Sequence, residues 1–386
     1  GSTKARSSNR SPAACVPSRT PRPIAASPAT NMPFRGVIRK PHNHFLGLRS
    51  GVRDTNYEEA VKSIWRHSEI VLSDEAAQMK EIDRYATLAP SRHNTQSWRF
   101  QVDNRSIAIL PDLSRRTPVV DPDDHHLYVS LGCAAENLVQ AAKTFGFMGN
   151  ADFNPGSNGT ITVALERSSA EESALFKAIP YRQCTRTKYD GKPLDSGELR
   201  LLEAAGTGNG VAVVLLTERE AMEKVLEYVV QGNTMQINNP AFVSELENWV
   251  RFSDGEAIQA GDGLTARSTG SPPARRWLGR LLFRTFFRVK PENDKYARHI
   301  RSSAGIAVFL SNVDDKSHWV EAGRCYERFA LQATALGIRN AFVNQPVEES
   351  RLRPEFARTL GWVIGGLISL YASARARRCR DLCGGR

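Results

Sequence analysis

The chain has 386 residues, of which 41% are hydrophobic and 8% aromatic, so it can bury the core of one large fold or of two domains. No apolar run approaches the roughly 18 residues that a membrane-spanning helix needs, and we expect a globular protein with no membrane partner. The formal net charge is +11, but residues 1–53 hold ten Lys and Arg and no acid, and residues 374–386 hold five Arg and one Asp. Residues 54–373 are therefore left with −3. This nearly neutral body argues against nucleic acid as a partner.

The first 53 residues are rich in Ser, Pro, Ala and Arg and show no apolar periodicity, which predicts a disordered basic segment. An acid-free, Arg- and Ser-rich start is also typical of an organellar transit peptide. However, Met32 is a candidate natural start, and the segment has no apolar stretch of the kind that a secretory signal carries. We therefore expect a cytoplasmic protein.

From residue 56 onward the apolar pattern alternates between helices and strands. Helices are predicted at 57–67, at about 75–88, and at 127–147, 196–205, 218–231, 242–252 and 319–336. Strands are predicted at 106–110, 160–166, 211–216 and 305–311. The Gly- and Ser-rich stretch 257–273 is predicted to be a loop long enough to act as a lid.

Two of the predicted helices carry a repeat. Residues 129–146 align without gaps to residues 320–337 at a spacing of 191. The identical pairs include Gly132 with Gly323, Glu136 with Glu327, and Gly146 with Gly337. Any two amphipathic helices share a periodicity, so coincidence stays open, but the pattern favours duplication. A duplicated chain contains its own dimer partner and is expected to be a monomer that mimics a dimer.

Metal binding and a disulfide framework are not expected. The six cysteines, which are Cys15, Cys133, Cys184, Cys325, Cys379 and Cys383, have neither kind of spacing. The adjacent pair His125 and His126 follows an acidic run, 121–124. Such acids are explained by the capping of a helix N-terminus, and we do not read the pair as a metal site.

The most informative segment lies between the second predicted helix and the first predicted strand, where residues 89–100 read APSRHNTQSWRF. Pro90 forces the chain out of the helix, so hydroxyl, guanidinium and amide groups gather in a turn that Trp98 and Phe100 close. This turn can hold a polar, phosphate-bearing ligand against an apolar floor. The alternative is a simple helix-to-strand connection that Trp98 anchors.

This segment resembles the A-P-S-x-x-N-x-Q-P-W-x-F signature of the nitroreductase-like flavoproteins, with Ser97 in place of the usual proline. Over about residues 57–361 the chain is most similar to the Acg-type branch, in which two nitroreductase-like halves are fused. The resemblance implies an α+β nitroreductase-like fold, a tandem pseudo-dimer in one chain, with FMN between its halves. It divides the chain into a first half at 54–175, a second half at 176–361 with a lid-like insertion at about 253–290, and an atypical C-terminal tail at 362–386 that does not match the strand and tail of the family.

The resemblance also implies which residues bind FMN, at one site rather than two. The signature turn would contribute Pro90, Ser91, Arg92, Asn94 and Gln96. Residues 179–189, IPYRQCTRTKY, resemble the family's R-x-S-x-R/K segment, so Arg182 and Arg186 would bind the phosphate or ribityl chain beside Gln183 and Cys184, with cysteine in place of serine. The alternative is a solvated basic stretch before a helix.

Two further segments complete the implied site. Asn344 and Gln345, in residues 340–346 (NAFVNQP), would place a backbone N–H beside the reactive edge of the flavin, although a strand-entry turn explains the same residues. Asn293 and Lys295 would lie at the polar edge of the ring. No catalytic side chain is predicted, because the flavin itself carries the chemistry.

The implied function is oxidoreduction in which NAD(P)H gives hydride to FMN and a small electron-poor acceptor takes the electrons. The alternative is an FMN-sequestering or storage protein with a covered flavin and little or no reductase activity. A nucleic-acid-binding role would depend on the basic ends alone.

Overall fold

The computed structural model describes residues 37–38, 56–68, 74–103, 105–269, 271–361 and 366–374. The first part of the chain holds β1 (Val37–Ile38), α1 (Tyr57–Ile64), α2 (Glu75–Ala86), β2 (Trp98–Asp103), β3 (Ser106–Pro111), α3 (His125–Thr144), β4 (Phe147–Asn154), β5 (Thr160–Arg167) and α4 (Ala174–Ala178). Within the described residues, no helix is long and apolar enough to cross a membrane.

The second part holds α5 (Ser196–Gly206), β6 (Val211–Leu216), α6 (Arg219–Ile237), α7 (Pro240–Trp249), β7 (Val250–Arg251), α8 (Asp254–Ala260), β8 (Leu264–Thr265), α9 (Ala266–Thr269), α10 (Arg276–Phe286) and α11 (Val289–Arg301). It continues with β9 (Gly305–Ser311), α12 (Lys316–Ala335), β10 (Arg339–Phe342), α13 (Gln345–Glu348), α14 (Arg353–Thr359) and β11 (Gly366–Ala374). Helices and antiparallel sheets are thus combined, and the predicted α+β class is confirmed.

Two antiparallel sheets share one topology. The first has the strand order β1-β2-β3-β5-β4 and the second has the order β10-β11-β9-β6. Without β1, each sheet has four strands. Numbered by their order in the chain, these strands lie side by side in the order first, second, fourth, third, and a long helix connects the second strand to the third. The second sheet differs by the helices α6–α11, which are inserted between β6 and β9.

The long helices α3 and α12 occupy equivalent places and pack against each other at two glycines. Both begin after an aspartate, and both are followed by a glycine with positive φ, 76° at Gly146 and 73° at Gly337. A Cβ at Gly132 would overlap the carbonyl oxygen of Val320, and a Cβ at Gly323 would overlap that of Val129. The two contacts are reciprocal, and they bring the two backbones closer than any side chain permits.

One apolar core extends through both halves across this helix pair. It contains Trp98 and Ile109 from the first sheet, Phe309 from the second, and Leu131 and Phe329 from the crossing helices. A second apolar cluster joins the helices α6 and α11 to the second sheet through Val225, Ile300 and Val308, among others. The two helices on either side of the lid-like insertion are therefore packed on the second half.

Several sequence predictions need correction. Neither β2 nor β4 is among the predicted strands. The strand β2 begins inside the signature turn, with Trp98 and Phe100 buried at alternate positions, whereas in β4 only Phe147 is buried and the alternate positions after it are half-buried. The stretch 257–273, predicted to be a loop, contains most of α8 together with β8 and α9. The tail, expected to lack the family's strand, contains β11, which pairs with both β10 and β9. Apart from β1, the predicted disordered segment 1–53 lies outside the described residues.

The helix crossing predicts a large difference between two glycine substitutions. Gly323→Ala is expected to lower the free energy of unfolding by about 3 kcal/mol, because the added methyl group overpacks the crossing. Gly255→Ala on α8 is the control, since a Cβ there meets nothing within 4 Å. It is expected to change the stability by about 1 kcal/mol or less. Urea unfolding measures both, and equal effects would contradict the close crossing.

Candidate active site

One cavity of about 1500 Å³ is lined by both halves of the chain. The signature turn and the first turns of α3 contribute from the first half, and residues 182–186, the insertion and residues 342–348 contribute from the second. Every predicted cofactor-binding residue except Asn293 lies on its wall. These wall residues are Pro90, Ser91, Arg92, Asn94, Gln96, Arg182, Gln183, Cys184, Arg186, Lys295, Asn344 and Gln345.

The signature turn has an unusual backbone. His93, Asn94 and Gln96 all have positive φ, at 45°, 53° and 51°. The Ser91 hydroxyl stabilises this shape by accepting a hydrogen bond from the Gln96 backbone N–H at 2.8 Å. Non-glycine residues in this conformation cost energy, and they cluster at ligand-binding positions.

The amides of the signature turn hold the insertion. Asn94 donates through Nδ2 to the Gly263 carbonyl at 3.2 Å, and its own carbonyl accepts from the Gly263 N–H at 3.0 Å. Gln96 donates through Nε2 to the Gly261 carbonyl at 2.6 Å. The two side chains expected to contact a cofactor thus have protein partners and fasten residues 261–263 over the turn.

Arg92 forms a buried ion pair across the two halves. Its Nη1 lies 2.7 Å from Glu348 Oε1, and Gln236 donates to Glu348 Oε2 at 2.7 Å. Burial alone would raise the pKa of Glu348, but the charge and hydrogen bond of Arg92 lower it to about 2. Sequence reasoning missed Glu348, because no local pattern indicates a partner 256 residues away.

Arg182 is also engaged with the protein. It is buried, it donates to the Leu88 carbonyl at 3.1 Å, and its Nε lies 3.2 Å from Glu327 Oε1. Burial raises the pKa of Glu327 to about 7, against the lowering effect of Arg182. The equivalent repeat residue, Glu136, pairs with Arg328 at 2.9 Å. The two repeat glutamates therefore each bind an arginine.

Arg186 is the cation on the wall that is best placed to receive an anionic ligand. It forms no ion pair or hydrogen bond with any other part of the chain that the structure describes, and it is half-buried. Two contacts to Asn340, a backbone hydrogen bond from Thr185 and a β-bridge from Cys184, fix this strip beside β10. The guanidinium is consequently held near a fixed backbone and not on a free loop.

His126 is a cavity residue that sequence reasoning assigned only to a helix start. Asp121 accepts hydrogen bonds from the backbone N–H groups of His126 and Leu127, each at 3.0 Å, so its capping role was correctly predicted. The same carboxylate lies 3.4 Å from Nδ1 of His126. Nε2 of His126 is buried and has no hydrogen-bond partner, although the residue lines the cavity.

The two remaining predicted segments differ in placement. Gln345 lies on the wall at the start of α13, and its Oε1 is buried without a hydrogen-bond partner. Lys295 is also on the wall, with Nζ 3.8 Å from Glu292 Oε2. Asn293 lies off the wall instead, and its amide binds Asn233 and Thr234 on α6. Among the predicted cofactor-binding residues, Asn293 is thus the one that the structure does not place on the cavity wall.

Comparisons with known proteins are consistent with the signature. The chain is similar to nitroreductases. It is 26% identical over 287 residues to proteins from two strains of Mycobacterium tuberculosis, each called "Putative NAD(P)H nitroreductase", and the match covers 72% of this chain and 79% of theirs. No family model matches the chain. The relatives support the nitroreductase-like resemblance, while the Acg-type branch is not distinguished by them.

Solved nitroreductases also match part of the chain. One from Bacteroides fragilis with bound FMN is 14% identical and covers 55% of this chain and 94% of its own, with a TM-score of 0.32. The FMN-dependent nitroreductase of Mycobacterium smegmatis in complex with NADPH is 14% identical and covers 55% and 92%, with a TM-score of 0.33. These TM-scores are too low to establish a shared fold.

Among the described residues, no three His, Cys, Asp or Glu side chains gather as a metal site requires. The buried polar atoms of the wall that have no hydrogen-bond partner in the described part of the chain include a guanidinium nitrogen of Arg92, imidazole nitrogens of His93 and His126, and the amide oxygen of Gln345. Buried polar atoms are normally paired, so these atoms point to an organic ligand with both donors and acceptors.

The depressed pKa of Glu348 predicts a specific dependence of stability on pH. A carboxyl whose pKa falls from 4.5 to about 2 on folding stabilises the protein above pH 4.5, and this contribution is lost as the pH falls toward 2. Glu348→Gln is therefore expected to be less stable than the parent chain near pH 7, by on the order of 3 kcal/mol, and the difference should shrink below pH 4.5.

Urea unfolding at a series of pH values measures this difference. The control is Glu203→Gln on α5, where the side chain is exposed. Its difference from the parent chain is expected to stay small throughout. A difference for Glu348→Gln that does not change between pH 7 and pH 3 would contradict the ion pair.

Proposed function

We propose that the chain is an FMN-binding, nitroreductase-like NAD(P)H oxidoreductase that passes electrons to a small electron-poor acceptor. The observation that carries this proposal is the cavity whose wall combines the signature turn of one half with the Arg186 strip of the other. The sequence similarity to NAD(P)H nitroreductases supports it.

We also propose that the chain is an Acg-type tandem pseudo-dimer with one flavin site. Three observations support a duplication: the shared strand order, the 191-residue spacing of α3 and α12, and the reciprocal contacts of Gly132 and Gly323. Reciprocal contacts of equivalent residues are the property of an isologous dimer interface. A chain that supplies both sides of this interface is expected to act as a monomer.

The wall residues fit FMN by size and by chemistry. FMN combines a dianionic phosphate, a polar ribityl chain and a planar apolar ring. Arg186 offers an unengaged guanidinium to the phosphate, and Arg182 is less suited because Glu327 already neutralises it. Aromatic side chains of the wall, including Trp65 and Phe342, offer apolar surface to the ring. Once bound, FMN would supply the hydride chemistry of the site.

The chain's own groups would orient the cofactor and exclude water. Gln345 and the backbone around Asn344 would bind the edge of the ring, and Ser91 would remain part of the turn. Nε2 of His126, which is supported from behind by Asp121, would donate or accept a hydrogen bond at the occupant of the cavity. Localisation in the cytoplasm remains a prediction from the sequence.

An FMN-storage protein is the second candidate, and the fastening of the insertion favours it. Residues 261–263 are held by Asn94 and Gln96, and Asp262 pairs with both Arg115 and Arg251. If this lid-like region, at about 253–290, stays closed over the ring, NAD(P)H cannot reach the flavin. Storage and catalysis therefore differ in access to the ring and not in the binding of FMN.

FMN binding is expected to depend on Arg186. The parent chain should bind about one FMN per chain, and Arg186→Gln should weaken the affinity about tenfold to a hundredfold, because a hydrogen bond to a charged group is lost. Lys188→Gln, two residues away and exposed, is the control and should bind like the parent. Fluorescence titration with FMN measures all three. Equal affinities of the parent chain and Arg186→Gln would contradict the proposed contact between Arg186 and the FMN phosphate.

Anaerobic addition of NADPH or NADH to the FMN-loaded chain separates the two functions. If the chain is an oxidoreductase, the absorption bands of its oxidised flavin are expected to disappear on the time scale of enzyme turnover. A flavin that stays oxidised, although dithionite reduces it, would contradict the oxidoreductase and support storage. Absence of FMN binding at any concentration would overturn both.

A further inference from the structure

The helix α10 has a large apolar face that is not packed against the described protein. Trp277 is 66% exposed, Leu281 is 56% exposed and Phe286 is 67% exposed, and Leu282 is exposed beside them. Isolated exposed apolar residues are common, but four on one short helix form a patch. The patch is the combined surface of these four side chains.

The same helix is held to the protein by side chains that neighbour the patch, so the patch belongs to a packed helix and not to a loose segment. Gly279 is buried against Phe252, where a Cβ would lie 2.6 Å from the Phe252 ring. Phe283 stacks on Phe287 with ring centroids 4.7 Å apart, and it contacts Phe252 edge-on. Gly279 and Phe283 therefore fix the helix against Phe252 and Phe287, while the four side chains of the patch stay exposed.

Cations surround the patch. The stretch 263–291 contains seven Lys and Arg and no Asp or Glu. Five of these seven cations have acidic partners, which are Arg267 with Asp254, Arg276 with Glu256, Arg280 and Arg284 with Glu247, and Lys290 with Asp294. Arg275 and Arg288, which flank the helix and are exposed, form no ion pair with any described residue. The positive charge next to the patch therefore exceeds what the protein itself neutralises.

We propose that α10 is a docking surface for an anionic lipid bilayer, on which the helix lies with the patch facing the acyl chains. Amphipathic helices with aromatic and leucine residues on one face and arginines beside it bind at this interface. Tryptophan favours the headgroup level, and each Lys or Arg near an anionic surface adds to the attraction. This mode of binding needs no membrane-spanning segment.

Other occupants fit the surface less well. A second copy of the chain would bring arginine against arginine, since α10 carries no acid. Residues 1–53 of the same chain also hold ten cations and no acid, so they are repelled for the same reason. An acidic protein would match the charge, but it would have to supply an apolar face for the four large side chains as well.

Docking would bring the cavity to the lipid boundary. Leu282 and Phe286 are exposed and also line the cavity, so the mouth opens beside the patch. An apolar electron acceptor dissolved in the bilayer would then reach the site without crossing water. This last step rests on the proposed function, whereas binding of the chain to vesicles does not.

Vesicle binding of the full chain tests the proposal without any flavin. Vesicles of phosphatidylcholine with about one third phosphatidylglycerol are compared with pure phosphatidylcholine, both with brominated acyl chains that quench nearby tryptophan. The chain is expected to cosediment with the anionic vesicles and to lose part of its tryptophan emission. Trp277→Phe keeps the patch apolar, so it should bind equally but lose most of that quenching.

Two variants and two controls separate α10 from the basic N-terminal segment. The double variant Trp277→Gln/Phe286→Ser and the double variant Arg275→Glu/Arg288→Glu should each bind at least about tenfold more weakly than the parent. Leu201→Gln and Lys143→Glu, at exposed positions on other helices, should bind like the parent. Circular dichroism confirms that each variant folds.

Either of two results would overturn the proposal. If both double variants bind as tightly as the parent, the basic ends and not α10 carry the binding. If the parent binds neither vesicle, the patch does not dock on lipid, and an acidic protein partner becomes the better occupant. Since no flavin enters the assay, neither result bears on the proposed oxidoreductase.

Discussion

The contact between α3 and α12 at Gly132 and Gly323 is the constraint on which the remaining structure depends. Each glycine lets the carbonyl of the facing helix approach to a distance that a methyl group would forbid. The helices carry the two sheets on their outer sides, so the closeness of the crossing sets the spacing of the halves. The cavity opens where residues of both halves come together around the first turns of α3.

The ion pairs around this crossing connect the core to the cavity. Glu327 on α12 holds Arg182, which reaches the Leu88 carbonyl just before the signature turn. Arg92 in the turn holds Glu348 on α13, and Gln236 on α6 completes that pair. A buried pair of this kind contributes little net stability, but loss of one partner is costly, so these contacts fix geometry more than they add strength. Arg186, by contrast, is a wall cation without an ion-pair partner among the described residues. Arg182 and Arg186 of the same motif therefore have different roles, since Arg182 is paired with Glu327 and Arg186 is not.

Much of the fold could be predicted from the sequence, because its strongest signals are local. The apolar period of α3 and α12, with a glycine after each helix, fixes both elements and their equivalence. The insertion was less predictable, since α8, α9 and β8 are short and take their shape from contacts with the signature turn. The strand β11 was missed because its pairing with β9 and β10 is long-range and the expected family pattern was absent.

The candidate site shows the same division. A motif of known spacing located the wall residues from Pro90 to Gln96 and from Arg182 to Arg186, but not their state of engagement. Asn94, Gln96 and Arg182 turned out to have protein partners that lie far away in sequence. His126 was assigned to capping alone, because nothing in an adjacent histidine pair tells which ring faces a cavity. The exposed apolar side chains of α10 are likewise identified only in the folded structure, because an amphipathic pattern alone does not tell which of its side chains are packed.

A crystal structure of the chain grown with FMN tests the central claim most directly. We expect one flavin per chain in the cavity between the halves, with its phosphate at Arg186 and its ring between the signature turn and residues 344–345. Two flavins related by the pseudo-symmetry, or a flavin bound outside this cavity, would contradict it.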